Sequence, residues 1–325
     1  MTRVLVTGAS GFLGRQALPL LLAHGHEVHA LARRRQTAGA DGKIVWHEAD
    51  LLDAGASAEL VRAIRPEQLL HLAWGVEPGR FWTSTENVRW VEASLALMRA
   101  FVAADGRRAV FAGTCAEYEW TSSAGPADPN AEPREWRMRE RATPIVPATL
   151  YGACKHATHL VAAKLAAQSG VQLGWGRVFY LYGPHEQQAR LVPAIATSLL
   201  RAEPTDTSNG RQRRDFMHVA DVAAAFVALL ESEVDGPVNI ATGEAVEVGE
   251  VVRMIATNAG GEELLRWGAI ARSPSEPDTI VADVSRLRDE VGFVAQIGLA
   301  DGLRETVEWW RRQLADVPPP GASPR

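Results

Sequence analysis

Val4-Leu5-Val6-Thr7-Gly8-Ala9-Ser10-Gly11-Phe12-Leu13-Gly14 stands almost at the start of the chain. A short β-branched run stops at Gly8, and an apolar pattern of helical period follows from Phe12 to Ala23. The pattern predicts a strand, a tight turn and a helix. Three glycines in the turn let the backbone approach a pyrophosphate, which then sits on the N–H groups and positive dipole end of the helix. Gly-x-x-Gly-x-x-Gly by itself describes any tight βα turn. Between this strand and this helix it predicts a nucleotide site built by Gly8, Ser10, Gly11, Phe12, Leu13 and Gly14.

The next strand, Glu27 to Leu31, runs out into Ala32-Arg33-Arg34-Arg35. In a dinucleotide fold an acid roughly 20 residues past the glycines holds the ribose 2′-OH of NAD, whereas arginine accommodates the 2′-phosphate of NADP. Here the acid is missing and the cations are present, so NADP(H) is expected in preference to NAD(H), with Arg33 and Arg34 as its contacts; a solvated basic loop is the plain alternative. Asp50 and Leu51, after the strand Ile44 to Trp46, are placed to meet the adenine, although an acid there also suits a helix cap. Leu72, Ala73 and Trp74 close the strand Gln68 to Ala73 at its carboxyl end, where ligands collect in such sheets.

Phe81 to Ala104 reads as one long helix containing Asn87, and Ala109 to Gly113 as the fifth strand, ended by Thr114. A hydroxyl in that place can reach a substrate oxygen or simply cap the turn. Thr121 to Pro147 is rich in Pro, Gly, Ser and charge and suits a lid or wall, or surface decoration. Beyond it, Thr149-Leu150-Tyr151-Gly152-Ala153-Cys154-Lys155 opens a helix that runs to Ala167. Tyr151 and Lys155 are four apart and share a face. An ammonium beside a phenol lowers the phenol pKa, which suits Tyr151 to proton transfer.

The 325 residues are 46% hydrophobic and 22% charged, with a net charge of -5. That is ordinary globular composition with no overall basic field, so no nucleic-acid partner is expected. No apolar run approaches membrane-spanning length and no leader pattern precedes the first strand, so the expected location is cytoplasmic, with no membrane partner. The two cysteines, Cys115 and Cys154, form no Cys-x-x-Cys and the nine histidines no His-Glu-x-x-His, so no metal is expected. Both cysteines read as small core residues.

Gly8/Gly11/Gly14, Thr114 and Tyr151 with Lys155, in that order, resemble the extended short-chain dehydrogenase/reductases, the NAD(P)-dependent epimerases, dehydratases and reductases of nucleotide sugars. His71-Leu72-Ala73, Asn87, Arg177 to Pro184, Gly210 to Asp221 and Val238 to Gly243 match further family signatures, over about residues 3 to 312. The resemblance implies an α/β architecture: a Rossmann-type doubly wound parallel sheet with a smaller, interleaved C-terminal substrate domain. Residues 1–183 would bind NADP with 214–243 partly rejoining them, 184–315 would mainly bind substrate, and 316–325 would be a flexible tail. It also implies a homodimer through the helices containing Asn87 and Tyr151.

Residue by residue, the resemblance makes Tyr151 the proton donor or acceptor. Lys155 would hold the cofactor ribose and depress the Tyr151 pKa, and Thr114 would bond the substrate oxygen. Val178 and Phe179 would wall the nicotinamide, and Trp74, Tyr180 and Val192 the substrate. Arg214 would bind a substrate diphosphate, with a surface arginine beside Asp215 as the alternative, and Arg190 is a second phosphate candidate. Departures from the family point to the reaction. Tyr180 stands where asparagine is usual, and Glu117-Tyr118-Glu119 where Val-Tyr-Gly is usual. Cys115-Ala116 stands where the 4,6-dehydratases carry Asp-Glu, and Ala116 where the 3,5-epimerase-reductases carry cysteine. Glu117, on an extended backbone, would face away from the site. The expected activity is NADPH-dependent reduction of a keto sugar nucleotide, at C4 of an NDP-4-keto-6-deoxy sugar. A nucleotide-sugar epimerase with a transient keto intermediate is the alternative.

Overall fold

A computed structural model describes residues 1–34, 42–120, 137–273 and 276–315. Arg35, residues 121–136 of the expected lid or wall, and the 316–325 tail lie outside the described residues. In chain order the main elements are β1 (Arg3–Thr7), α1 (Gly14–Ala23), β2 (Glu27–Ala32), β3 (Ile44–Glu48), α2 (Ala54–Ile64), β4 (Gln68–His71), α3 (Glu86–Ala103), β5 (Arg108–Thr114), α4 (Leu150–Ser169) and β6 (Gln172–Val178). There follow β7 (Tyr180–Tyr182), α5 (Leu191–Leu200), β8 (Thr205–Asp206), β9 (Arg213–Arg214), β10 (Phe216–His218), α6 (Val219–Glu231), β11 (Gly236–Ile240), β12 (Val246–Glu247), α7 (Val248–Ala259) and, last, α8 (Leu299–Ala315).

Seven parallel strands form the main sheet in the order β11-β6-β5-β4-β1-β2-β3. The order runs outward both ways from the β1–β4 pair, so the crevice of the sheet opens at the carboxyl ends of those two strands. Gly8 follows one and Trp74 comes soon after the other. Val4, Leu5, Val6, Leu69, Leu70 and Val110 are fully buried, as strands covered by helices on both faces must be. α1 and α6 cover one face; α2, α3 and α4 cover the other. A polar clasp runs through that core: Thr7 Oγ1 and His71 Nδ1 lie 2.7 Å apart, and His71 Nε2 lies 2.9 Å from Ser94 Oγ. Burial pushes the imidazole down to about 3, so it stays neutral and can serve both hydroxyls.

α5, α7 and α8 pack around a second core built by Tyr182, Ile195, Val251, Val252 and Leu303. The chain passes between the two bodies more than once. β7 and β10 pair with each other, and α6 and β11 then return to the main sheet beside β6. Among the described residues no helix is long and apolar enough to cross a membrane.

The observed elements differ from expectation at their ends. α3 begins at Glu86 and not at Phe81. Ser84 and Thr85 suit the start of a helix, the Ser84 hydroxyl accepts from the Glu86 N–H, and the Asn87 amide reaches back to the Phe81 and Ser84 carbonyls. Phe81 and Trp82 therefore sit in a turn before the helix. α1 starts at Gly14, because residues 8 to 13 are taken up by the glycine turn, and β4 ends at His71.

Candidate active site

The glycine turn cannot be built with side chains. Gly8 has φ +67°, and a Cβ there would lie 2.8 Å from the Ala73 backbone nitrogen; a Cβ on Gly14 would lie 2.2 Å from the Gly8 carbonyl oxygen. No side chain caps the start of α1 and no acid stands in its first turn, which leaves the positive end of its dipole open to an anion.

A cavity of about 1080 Å³ runs from this turn across the sheet to the second core. Gly8, Ser10, Gly11, Phe12, Leu13, Gly14, Arg33, Asp50, Leu51, Leu72, Ala73 and Trp74 line one end. Thr114, Cys115, Tyr151, Val178, Phe179 and Tyr180 line the middle, and Arg190, Val192 and Arg214 the far part. Of the residues expected at the site, Arg34 and Lys155 are not on the wall. Asp50 also accepts the Leu52 N–H at 3.0 Å, so it shapes its own turn as well as facing the cavity.

Gly152 brings the middle together. A Cβ there would stand 2.2 Å from the Ala116 carbonyl, so only glycine lets α4 dock on the turn that follows β5 and carry Tyr151 up to Thr114. Thr149 starts that helix by accepting the Gly152 N–H at 3.1 Å. Burial pushes the Tyr151 phenol above its ordinary value; the Thr114 hydroxyl and the Arg190 guanidinium pull the other way. The lowering influence is thus Thr114 and Arg190, where the sequence suggested Lys155. Lys155 is buried, donates to the Ala112 carbonyl at 2.7 Å and lies 3.9 Å from the centre of the Trp74 ring. Burial pushes its ammonium down to about 7, with Glu117 opposing the change.

Glu117 faces away from the cavity, as expected, but for a different reason. Residues Cys115–Glu117 form a tight helical turn and not an extended segment. The Glu117 carboxylate, fully buried, accepts from the Thr114 N–H at 3.0 Å, the Trp175 indole at 2.9 Å and the Arg177 guanidinium at 2.9 Å. His156 and His159 also approach it. With three donors on its oxygens, one of them cationic, the carboxylate is poorly suited to take a metal ion as well. Burial pushes the Cys115 thiol up to about 12, which makes it inert as a nucleophile at neutral pH.

Arg214 is buried and not on the surface. It pairs with Glu276 at 2.5 Å and donates to the Arg213 and Asp278 carbonyls, while Asp215 turns to Thr242 and Gly243. Arg190 donates to the Val76 carbonyl at 3.1 Å and lies over the Phe81 ring. Sequence reasoning missed Arg272, which lines the same part of the cavity and also meets Glu276, at 3.5 Å. It missed Glu186 too, a cavity-lining acid whose Oε2 is buried without a partner among the described residues, and whose carboxyl burial pushes up to about 8. Phe81, Trp82 and Trp120 also face the cavity. Tryptophans at 74, 82 and 90 were the available signal for Phe81 and Trp82; nothing in the sequence marked Trp120 or Glu186.

Residues 4–249 match the model of the NAD dependent epimerase/dehydratase family. The chain is similar to a UDP-glucose 4-epimerase of Azospirillum brasilense, 29% identical with 96% of this chain and 92% of that protein covered. Among solved structures it resembles MoeE5 in complex with UDP-glucuronic acid and NAD: 30% identity, 96% and 99% of the two chains, TM-score 0.78. It also resembles the Thermus thermophilus UDP-glucose 4-epimerase in complex with NAD, at 26% identity over 95% and 99% of the chains, with TM-score 0.78.

Proposed function

The chain belongs to the NAD dependent epimerase/dehydratase family, and on that premise we propose that it is an NADPH-dependent reductase of a keto sugar nucleotide, acting at C4 of an NDP-4-keto-6-deoxy sugar. The residues present fit a dinucleotide: a turn that only glycines can form leads into an uncapped helix N-terminus on the cavity wall. Gly8 to Gly14 would hold the pyrophosphate, Asp50 and Leu51 the adenine, and Val178 and Phe179 the nicotinamide. Arg33 on the wall, with no acid at the end of β2, supports NADP(H) over NAD(H). When bound, the nicotinamide supplies the hydride.

The chain's own residues would do the rest. Tyr151 donates its phenolic proton to the oxygen of the reduced carbon, and Thr114 donates a hydrogen bond to the same oxygen. Lys155, whose ammonium lies against the Ala112 carbonyl and the Trp74 ring, would hold the ribose hydroxyls, and its positive charge would favour loss of the Tyr151 proton. Arg190, Arg214 and Arg272 bind the diphosphate, and Trp74, Tyr180 and Val192 contact the sugar nucleotide. In this reading 1–183 with 214–243 form the NADP-binding domain and 184–315 mainly the substrate domain. Val88 on α3 and Leu160 and Val161 on α4 are half exposed, which favours a homodimer through those helices; sedimentation at twice the chain mass is the expected result.

The observation that supports a reductase over a dehydratase is the turn after Thr114. Dehydration needs an acid and a base beside Tyr151, and this turn supplies neither: Ala116 cannot move a proton, the Cys115 thiol is held at about 12, and Glu117 is sealed in the core. An NDP-4-keto-6-deoxy sugar should therefore consume NADPH stoichiometrically, followed at 340 nm. An NDP-hexose that loses 18 mass units without net NADPH consumption would reject the reading in favour of a dehydratase.

A further inference from the structure

The wall around the Tyr151 phenol is made of rings. Phe81 lies 4.9 Å from the Tyr151 ring, Trp82 5.7 Å and Trp74 6.4 Å, all edge to face. Trp82 also meets Phe81 at 4.2 Å and Trp120 at 5.8 Å. These rings line the cavity beside Thr114, with Val76 and Ala116 in the same cluster.

Hydrogen bonds fix their positions. The buried Asn87 amide bonds the Phe81 carbonyl at 2.7 Å and accepts the Trp74 indole N–H at 2.8 Å. The Trp120 indole donates to the Cys115 carbonyl at 3.2 Å, and the Trp82 carbonyl accepts the Tyr151 N–H at 3.2 Å. The polar atoms of Trp74 and Trp120 are thus engaged with protein, and what those rings offer a ligand is carbon and hydrogen. Thr114 and Tyr151 are directed to the reacting oxygen, so a further hydroxyl laid on the faces of these rings would find no partner among them beyond the Trp82 indole N–H.

We propose that Phe81, Trp82 and Trp120 form a specificity pocket for the C6 methyl of a 6-deoxy sugar nucleotide and select against the 6-hydroxymethyl sugar. The proposal rests on the nucleotide-sugar reading above, but not on the direction or type of the reaction. A methyl gains contact with the rings, and a hydroxymethyl must leave water to reach them. Apolar pockets discriminate a single added hydroxyl by a factor of about 10 to 100.

The test is binding, measured calorimetrically on the NADPH-loaded protein with two pairs that carry no keto group to reduce: dTDP-6-deoxyglucose against dTDP-glucose, and the UDP equivalents. The 6-deoxy ligand should bind about 10- to 100-fold more tightly in at least one pair. Trp82→Gln and Trp120→Gln should each reduce that ratio several-fold, and Trp120→Phe, which keeps the surface apolar, should preserve it. Equal affinities in the wild type would overturn the pocket whatever the reaction, and a preference that survives both Gln variants would overturn its assignment to these rings. A preference for the 6-deoxy ligand in a protein that consumes no NADPH with a 4-keto substrate would refute the reductase and leave the pocket standing. Failure of all four ligands to bind would remove both.

Discussion

Glu117 with Arg177 and Glu276 with Arg214 are the same two side-chain types in contact, at 2.9 Å and 2.5 Å. The first pair is sealed beneath the turn that carries Thr114. Burial works against the Arg177 charge, but Glu117 and Tyr118 outweigh it and hold the guanidinium above its ordinary value. The second pair lies on the cavity wall, with the Glu276 side chain one-third exposed and shared with Arg272. A closed pair with every oxygen taken can only be scaffold. An open pair is a place where a ligand anion can take over from the carboxylate.

The sharpest way to break the comparison is to remove one acid from each pair. Glu117→Ala leaves a buried guanidinium alone and takes away the acceptor for the Thr114 N–H. It should destabilise the fold by about 3–5 kcal/mol, measured by urea unfolding. If Glu117→Ala unfolds at the wild-type midpoint, the pair is not scaffold. Arg214→Ala should act mainly on binding: the KM for the sugar nucleotide should rise about 10- to 100-fold through lost charge-assisted hydrogen bonds, with a much smaller loss of stability. An unchanged KM would take Arg214 out of the diphosphate site.

Glu276→Gln should do the opposite of Glu117→Ala. Without a competing carboxylate on Arg214 and Arg272, a nucleoside diphosphate should bind more tightly, by roughly 0.5–1 kcal/mol or two- to five-fold. Calorimetry showing weaker binding would mean that Glu276 supports the site instead of occupying it.

A pH dependence is expected from two titrating groups, Glu186 and Lys155. Burial raises the Glu186 pKa to about 8, so the folded protein holds this proton over a range in which the unfolded chain has lost it. Its contribution to stability is complete below the ordinary carboxyl range and is lost as pH rises through about 8. Lys155 has the reverse sign: its folded pKa is lowered to about 7, so its contribution is present above the ordinary lysine range and lost as pH falls through about 7. The Tm of Glu186→Gln should therefore fall less than that of the wild type between pH 5 and pH 8. Parallel curves would show that Glu186 does not titrate there.

What the sequence revealed follows the chemistry of each end of the cavity. The glycine turn is contiguous: it demands glycine at positions 8 and 14 for reasons of backbone and close approach, and such demands are written in residue type. Tyr151 and Lys155 share a helix face and were legible for the same reason. The other end comes from distant segments. Nothing in the residues around Arg272 or Glu276 says that they meet Arg214, because that contact depends on the pairing of β9 with Thr279 and Ile280. Phe81 and Trp82 were read into a helix, and the short-range bonds from the Asn87 side chain to the Phe81 and Ser84 carbonyls are not visible in hydrophobic period. Glu117 was expected on an extended backbone; its reciprocal bonds with Thr114 made a tight turn instead.

The central claim is that Tyr151 and Thr114 serve a net reduction, and transfer of label tests it most directly. Given NADPH deuterated at the transferring position of C4 and an NDP-4-keto-6-deoxy sugar, the wild type should form one NADP⁺ per sugar reduced. The product should be one mass unit heavier than with unlabelled NADPH, with the deuterium on the carbinol carbon. Tyr151→Phe should form the same labelled product about 10²–10⁴-fold more slowly. An NDP-hexose converted to its epimer with no net oxidation of NADPH, while the keto sugar gains no deuterium, would contradict the account and establish the epimerase in its place.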